Sequence, residues 1–485
     1  MGESQACTSI ATIRYAIEDS SPILEYAMRF ALGILGYGAE RVNPQRLQAS
    51  IGIYHGNRNK VDAHVLIPDR PGDVFWQELV AGQRPQPKDG QVEFDIIGAV
   101  ARLLTDQVNS DLPEDAYDPH GRLCFARSFQ ARVGAKNMPL VNLYVKYLGD
   151  LLTANLNAKG LPLWPDGKQC AIGLSHDVDV PEIFGALRLP TIVQGKGLVW
   201  HLAIAKRKAK ALLDLLGHKD SDQYWCFDQI MEEEGKRGFS STFFFACINR
   251  ASEWGTRFDV DYDIRQPRFQ DLFRRIKTNG FEIGLHASYN AYLGPEYLAA
   301  EKNILEQQAE TEVIGLRHHF WHLGRDVNRT LASHQEVGFR YDSSLAFRDS
   351  MGFRRSTALP FFPWDQGARR PLAVLQLPMF CKDAHVFVFE RPNPPDPLSK
   401  LKACIELIKE TGGLGVIDWH NRTSFPKGGK YDEWGKAYLR LLDYLAADRK
   451  IWVTDLGTIC KWLQSRTLLK TRILVPTKEG SSHAG

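Results

Sequence analysis

The chain reads as α/β: an irregular (β/α) barrel preceded by a smaller mixed α/β domain. Three observations predict this. From about residue 170 onward, strand-like apolar runs alternate with helix-like stretches, the pattern of parallel strands joined by helical crossovers. Several of those runs end in Asp, His or Arg, where α/β folds place their chemistry. A polar stretch carrying Gly and Pro, residues 157–169, separates this alternation from a less regular first third.

In the first third, Pro22 to Leu35 has helical apolar spacing after Asp19-Ser20-Ser21, a capping signal. Ala63 to Ile67 reads as a strand ended by Pro68, and Phe94 to Leu104 and Leu140 to Leu156 read as helices. Beyond the boundary, strands are expected at 170–174, 241–248, 281–285, 313–317, 338–341, 373–378, 413–419 and 451–454. Helices are expected at 222–236, 268–278, 295–310, 328–336, 397–411, 430–446 and 456–465. The expected division is an N-terminal domain at 1–160, a barrel at 161–470 and a flexible tail at 471–485.

An insertion at 181–220 interrupts the alternation. Leu198, Leu202, Ala205, Ala209, Leu212 and Leu216 make an apolar stripe at helical spacing, and Lys206, Arg207, Lys208 and Lys210 make the other side basic. A helix packed on the barrel, a lid, and peripheral membrane or glycan contact through 196–219 all remain open at this point.

Bulk properties exclude several classes. At 485 residues, with 44% hydrophobic and 24% charged, the chain has the composition of an ordinary globular protein. A net charge of +3 gives no argument for a nucleic-acid partner. The eight Cys lack CxxC spacing, which predicts reduced, mostly buried thiols and not a disulfide frame. The N-terminus lacks a basic region followed by an apolar core, and no window has the length of a transmembrane span. A soluble, cytoplasmic protein is the expectation.

Four clusters carry the chemistry. Ser175-His176-Asp177-Val178-Asp179 follows the apolar run Cys170–Leu174, and two carboxylates so close call for a cation or strong donor. Gly284-Leu285-His286-Ala287-Ser288-Tyr289-Asn290 places a His at a second strand end. Gly315-Leu316-Arg317-His318-His319-Phe320-Trp321-His322 holds three of the chain's 14 His within five positions, beside an Arg able to hold a carboxylate ionised. Asp418-Trp419-His420-Asn421 ends a fourth run with an imidazole suited to proton delivery near neutral pH.

Taken together these residues resemble the polysaccharide deacetylase superfamily, the NodB-homology carbohydrate esterases, over roughly residues 165–465. The Tyr341-Asp342-Ser343-Ser344 segment and Gly352-Phe353-Arg354 are similar to stretches of that family, and 1–160 resembles an accessory region that some bacterial members carry, with Asp118-Pro119-His120-Gly121-Arg122 as a turn. The resemblance implies an irregular barrel of the deacetylase type and removal of an N-acetyl group from a sugar or glycan with a divalent metal, most readily Zn²⁺. It implies Asp177 as base, Arg317 as its orienting partner, His420 as general acid, and Asp179 and His286 as metal ligands. His176, Ser288, Tyr289, Trp321 and Trp419 are the expected substrate contacts.

One position departs from the family pattern. Asn290 stands where the second metal His belongs, and an amide is a poorer zinc ligand than imidazole. His319 is the expected third ligand, with Asn290 the alternative and a metal-free site the remaining reading. Two further functions stay open: a glycoside hydrolase using Asp177 and Asp418, and a degenerate deacetylase fold that binds glycan or acts as a scaffold.

Overall fold

The computed structural model describes residues 10–45, 50–57, 61–156, 159–182, 222–389 and 396–466, together with six positions between 201 and 209. The insertion at 181–220 and the tail at 471–485 therefore lie almost wholly outside the described residues.

The N-terminal residues build a sheet of their own. Strands β1 (Thr12–Ile17), β2 (Gly38–Arg41), β3 (Ile51–His55) and β4 (Ala63–Ile67) pair in parallel in the order β2-β1-β3-β4. The crossover from β1 to β2 is the helix Pro22–Ile34, which starts on a proline whose fixed φ suits the first turn. Its buried face (Leu24, Ala27, Phe30, Ala31 and Ile34) joins the helices Ile96–Leu104 and Leu140–Leu156 in one core. That core does not stop at the boundary: Leu331, Leu359, Phe361 and Trp364 belong to it, and the Tyr26 hydroxyl donates to the Phe362 carbonyl at 2.7 Å.

The second sheet is made of β5 (Cys170–Val178), β6 (Thr242–Phe245), β7 (Glu282–Ala287), β8 (Gly315–His318), β9 (Tyr341–Asp342), β12 (Leu375–Gln376), β13 (Met379–Lys382), β14 (Leu414–Asp418) and β15 (Ile451–Thr454), with β10 (Trp364–Asp365) and β11 (Arg370–Pro371) forming a separate antiparallel ribbon. Every pairing in it is parallel. β5 exposes no side chain, as expected for a parallel strand covered on both faces.

The circuit of pairings closes through one interrupted path. β12 lies on β9 and β13 lies on β14, and the two halves are separated only by Leu377 and Pro378. Pro378 has no N–H to give to a ladder, which accounts for the break. Its carbonyl still accepts from Val416, while Leu377 donates to Asp342. Opposite this seam β5 is shared: β15 pairs with Cys170–Gly173 and β6 with Ser175–Val178. The result is an irregular parallel barrel, and parallel strands bring all their C-terminal ends to one mouth.

The helices Phe227–Gly235, Pro267–Thr278, Pro295–Ala309, Val327–Glu336, Ser399–Glu410, Asp432–Ala447 and Leu456–Ser465 supply the crossovers at the expected places. Seven cysteines lie among the described residues; none is disulfide-bonded and six are buried. No described helix is long and apolar enough to cross a membrane.

Candidate active site

Side chains alternate along a strand, and that period decides which members of each cluster reach the mouth. On β5 and just beyond it, Asp177 and Asp179 share the inner face, and His176, one residue before Asp177, faces outward with Val178. After β14, Asp418 and His420 are inside and Trp419 is outside. On β7 and β8 the register pairs His286 with Arg317, so their side chains stand next to each other.

Three strand ends converge on Asp179. Its Oδ1 lies 3.2 Å from His286 Nε2 and 3.3 Å from His319 Nδ1, and its Oδ2 lies 3.2 Å from His420 Nε2. Each of the first two imidazoles has its other nitrogen committed. His286 Nδ1–H donates to the Arg317 carbonyl at 3.0 Å, and His319 Nε2–H donates to the Phe258 carbonyl at 2.9 Å. In the neutral rings those protons leave His286 Nε2 and His319 Nδ1 bare, yet they stand 2.9 Å apart. Two neutral rings so placed oppose lone pair to lone pair. A shared proton or a cation relieves that repulsion, and backbone carbonyls fixing the outer nitrogens are the usual support of metal-binding His. Two imidazoles and a carboxylate therefore fit a divalent ion. No hydrogen bond joins Asn290 to Asp179 or His286; it sits at the start of the short turn Ala291–Leu293.

The loop that delivers His319 is strained. Phe320 and Trp321 follow it with φ of 59° and 52°, a left-handed region unfavourable for aromatic residues. Burial of Trp321 under the Lys382 ammonium, 4.1 Å from its ring, and the Arg122 guanidinium donating to the Phe320 carbonyl at 2.7 Å hold the turn.

Asp177 sits beside this group in a different field. Arg317 Nη1 donates to its Oδ1 at 2.8 Å, with neither side chain more than 5% exposed. Burial alone would raise the Asp177 carboxyl, but Arg317, His286 and His420 outweigh it and hold the group below the ordinary range. The guanidinium is fixed in turn by the Ser343 carbonyl and by the face of Phe244, 4.5 Å away. Gly284 makes room for that ring: a Cβ there would come within 2.5 Å of Phe244. Behind Asp177, Asp418 accepts its backbone N–H at 3.0 Å and is fully buried. Burial and the Asp177 charge push Asp418 up to about 6. An Asp buried behind its neighbour does not face it across a cleft, the geometry that paired-carboxylate glycoside hydrolysis needs.

His420 is held by a residue that the sequence reading missed. Its Nδ1 donates to Asp383 at 3.0 Å, and Asp383 also accepts from the His420 backbone N–H and from the Thr423 hydroxyl. Burial alone would lower the His420 imidazole, but Asp383 and Asp418 raise it well above its ordinary value. Asp383 directly follows β13, whose strand start is obscured by Pro378. Arg422, 3.5 Å from Asp179 Oδ2, was also not anticipated.

Four expected substrate contacts are placed elsewhere. His176 is fully buried, with Nε2 on Glu234 at 2.8 Å and Nδ1 on the Trp419 carbonyl, among the helices outside the sheet. Trp419 is equally buried and donates to the Thr423 carbonyl. The Ser288 hydroxyl and N–H both go to the buried Glu301. Trp321 is only 6% exposed, under Lys382. The period of two explains His176 and Trp419, since each is flanked by the inward-facing residues.

Tyr289 is half-buried at the mouth, where the N-terminal residues meet it. The His120 ring accepts from or donates to its hydroxyl at 2.8 Å, and the tilted Phe258 ring lies 4.4 Å from it between centroids. The Asp118–Arg122 turn thus forms part of the wall beside the barrel mouth.

No family model matches the chain, and no curated protein matches it. Among solved structures, it is similar to a probable polysaccharide deacetylase from Pseudomonas aeruginosa PAO1, at 16% identity and a TM-score of 0.42, over 66% of this chain and 97% of that one. The PuuE allantoinase gives 15% and 0.42, over 66% and 96%. A CE4 family pseudoenzyme from Bacillus anthracis gives 10% and 0.30, over 61% and 66%. Likeness at this level does not transfer an activity, least of all when one of the neighbours is a pseudoenzyme.

Proposed function

We propose that the protein is a metal-dependent hydrolase that removes the N-acetyl group from a sugar or glycan. One observation carries the reading: His286 Nε2, His319 Nδ1 and the Asp179 carboxylate converge beside a second carboxylate, Asp177, that an arginine keeps charged.

Asp179, His286 and His319 would hold the ion, and Zn²⁺ suits this nitrogen and oxygen donor set. When bound, it supplies a Lewis acid for the acetamide carbonyl and acidifies a water. Asp177, with Oδ1 tied to Arg317, has Oδ2 free to take the proton of the attacking water. His420 carries its proton at Nε2, because Nδ1–H is spent on Asp383. It gives that proton to the departing nitrogen, since an amine leaves an amide only once protonated. The products are acetate and a free amino sugar. Tyr289 and Phe320, at the mouth with exposed ring surface, are suited to contact the sugar face.

The test is direct. Zinc-loaded protein incubated with monomeric, polymeric and nucleotide-linked N-acetylated sugars is expected to release acetate from at least one class. Folded, zinc-loaded protein that releases none would argue against the hydrolase in favour of a binding role.

A further inference from the structure

On the far side of the Asp118–Arg122 turn, a cavity of about 400 Å³ opens between the N-terminal residues and the loop that follows β8. Its walls include Thr105 and Asp106 on one side, Trp321 and Asn328 on the other, and Arg354 and Arg355 between them. Arg355 is the anomaly. Its side chain belongs to a residue only 4% exposed, and among the described residues it makes no ion pair, with the Phe361 ring 5.7 Å from its guanidinium carbon. Nη1 donates to the Leu104 carbonyl at 2.6 Å and Nη2 to Asn328 Oδ1 at 3.3 Å, while Nε has no hydrogen-bond partner.

A buried guanidinium without a carboxylate carries a desolvation cost that its two hydrogen bonds compensate only in part. The nearest carboxylate does not offset it. Both Asp106 oxygens accept from Arg354 Nη1, at 2.9 and 3.1 Å, and Oδ1 also accepts from Asn109. The other lining carboxylate, Asp326, caps the helix Val327–Glu336 by accepting from the Arg329 N–H. Arg122 and Arg325 line the cavity as well, each with its own partner, Asp118 and Glu114. Asp326 keeps its charge at the exposed rim, so what the wall holds is a local imbalance: the buried Arg355 guanidinium has no carboxylate at ion-pair distance, beside a space large enough for a sugar-sized molecule. Burial depresses the Arg355 guanidinium, in keeping with a cation that lacks its counter-ion.

We propose that this cavity binds an anion, a carboxylate or phosphate group on a sugar-sized molecule, whose charge completes Arg355. Arg supplies a planar fork that matches either group, and the Trp321 and Leu345 side chains in the wall suit the apolar face of a ring. None of Asp179, His286 and His319 lines the cavity, and the proposal does not depend on the hydrolase reading.

The experiment uses EDTA-treated full-length protein, so that no anion is held through a metal. Inorganic phosphate, glucuronate and glucose 1-phosphate are titrated by calorimetry and thermal melting, with sodium chloride at matched ionic strength as control. At least one probe is expected to raise the melting temperature above the chloride control; phosphate alone, a sugar acid and a sugar phosphate distinguish the sources of charge. Asn328→Asp places a carboxylate against Arg355. It is expected to raise the ligand-free melting temperature and to weaken anion binding about tenfold or more, because the counter-ion is then built in. Asn328→Ala, which removes the amide without adding charge, is expected to keep affinity within about threefold. No stabilisation by any probe, or equal affinity in wild type and Asn328→Asp, would overturn the proposal.

Discussion

His286 Nε2 and His319 Nδ1 stand 2.9 Å apart, each with its opposite nitrogen tied to a backbone carbonyl. The pair comes from two neighbouring strand ends, so their approach is set by the sheet and not by local sequence. Loss of the second imidazole should therefore cost the ion one of its ligands. His319→Ala is expected to lose zinc on dialysis by about ten- to a hundredfold in affinity or more, and Asn290→Ala to retain it. Metal content by mass spectrometry decides this, and the reverse order would return the third ligand to Asn290.

Among the described residues Arg317 is the sole guanidinium paired with Asp177, and both are buried. Replacing it by Met leaves Asp177 and Asp418 as buried carboxylates without their cation. We expect Arg317→Met to lose about 3–5 kcal/mol in urea unfolding. Arg317→Lys keeps the charge but not the fork that also reaches Ser343, and it should fall in between. A Met variant as stable as wild type would show that the ion pair is not needed for folding.

His420 and Asp383 make a separable prediction about the leaving group. If His420 delivers a proton to nitrogen, His420→Ala should slow amide cleavage by about 10²–10⁴. Hydrolysis of an aryl acetate, whose phenolate leaves unprotonated, should fall much less. Asp383→Asn should show the same selectivity more weakly, with metal content unchanged. Equal losses on both substrates would assign His420 a positioning role instead.

Glu282 supplies a pH dependence far from the metal ligands. Burial and the nearby Asp455 push its carboxyl from 4.5 up to about 7, against hydrogen bonds from Thr242, Tyr341 and the Gly457 N–H. A carboxyl raised in the folded state favours folding most when protonated. Its contribution is therefore fully present below about 4.5 and is lost as pH rises towards about 7. Above that, the buried charge costs on the order of 3 kcal/mol. Glu282→Gln should accordingly melt higher than wild type at pH 8 and nearly the same at pH 4.5. A constant difference across that range would remove the titration as its cause.

The strand–helix alternation was legible because parallel strands, buried on both faces, must be apolar throughout. The runs expected at 170–174, 281–285, 413–419 and 451–454 overlap β5, β7, β14 and β15 for that reason. Missed were β1, β2 and β3, of which β1 is polar at Thr12 and Arg14, where its side chains are exposed. β13 was missed because Pro378 divides it from β12. His176 and Trp419 were misplaced although the period of two between Asp177 and Asp179, and between Asp418 and His420, would have turned both outward.

The sequence by itself determined the α/β class, the order of the strands and which strand ends carry Asp, His and Arg, because these follow from local apolar runs and their flanking residues. Only the tertiary structure decided which of those groups meet. Asp383 reaches His420, and the Phe258 carbonyl fixes His319, across 37 and 61 residues respectively. Arg355 is left buried without a carboxylate between two parts of the chain. Ring tautomers, ion pairs and unpaired charges depend on neighbours within a few ångströms, and no spacing along the chain specifies those neighbours.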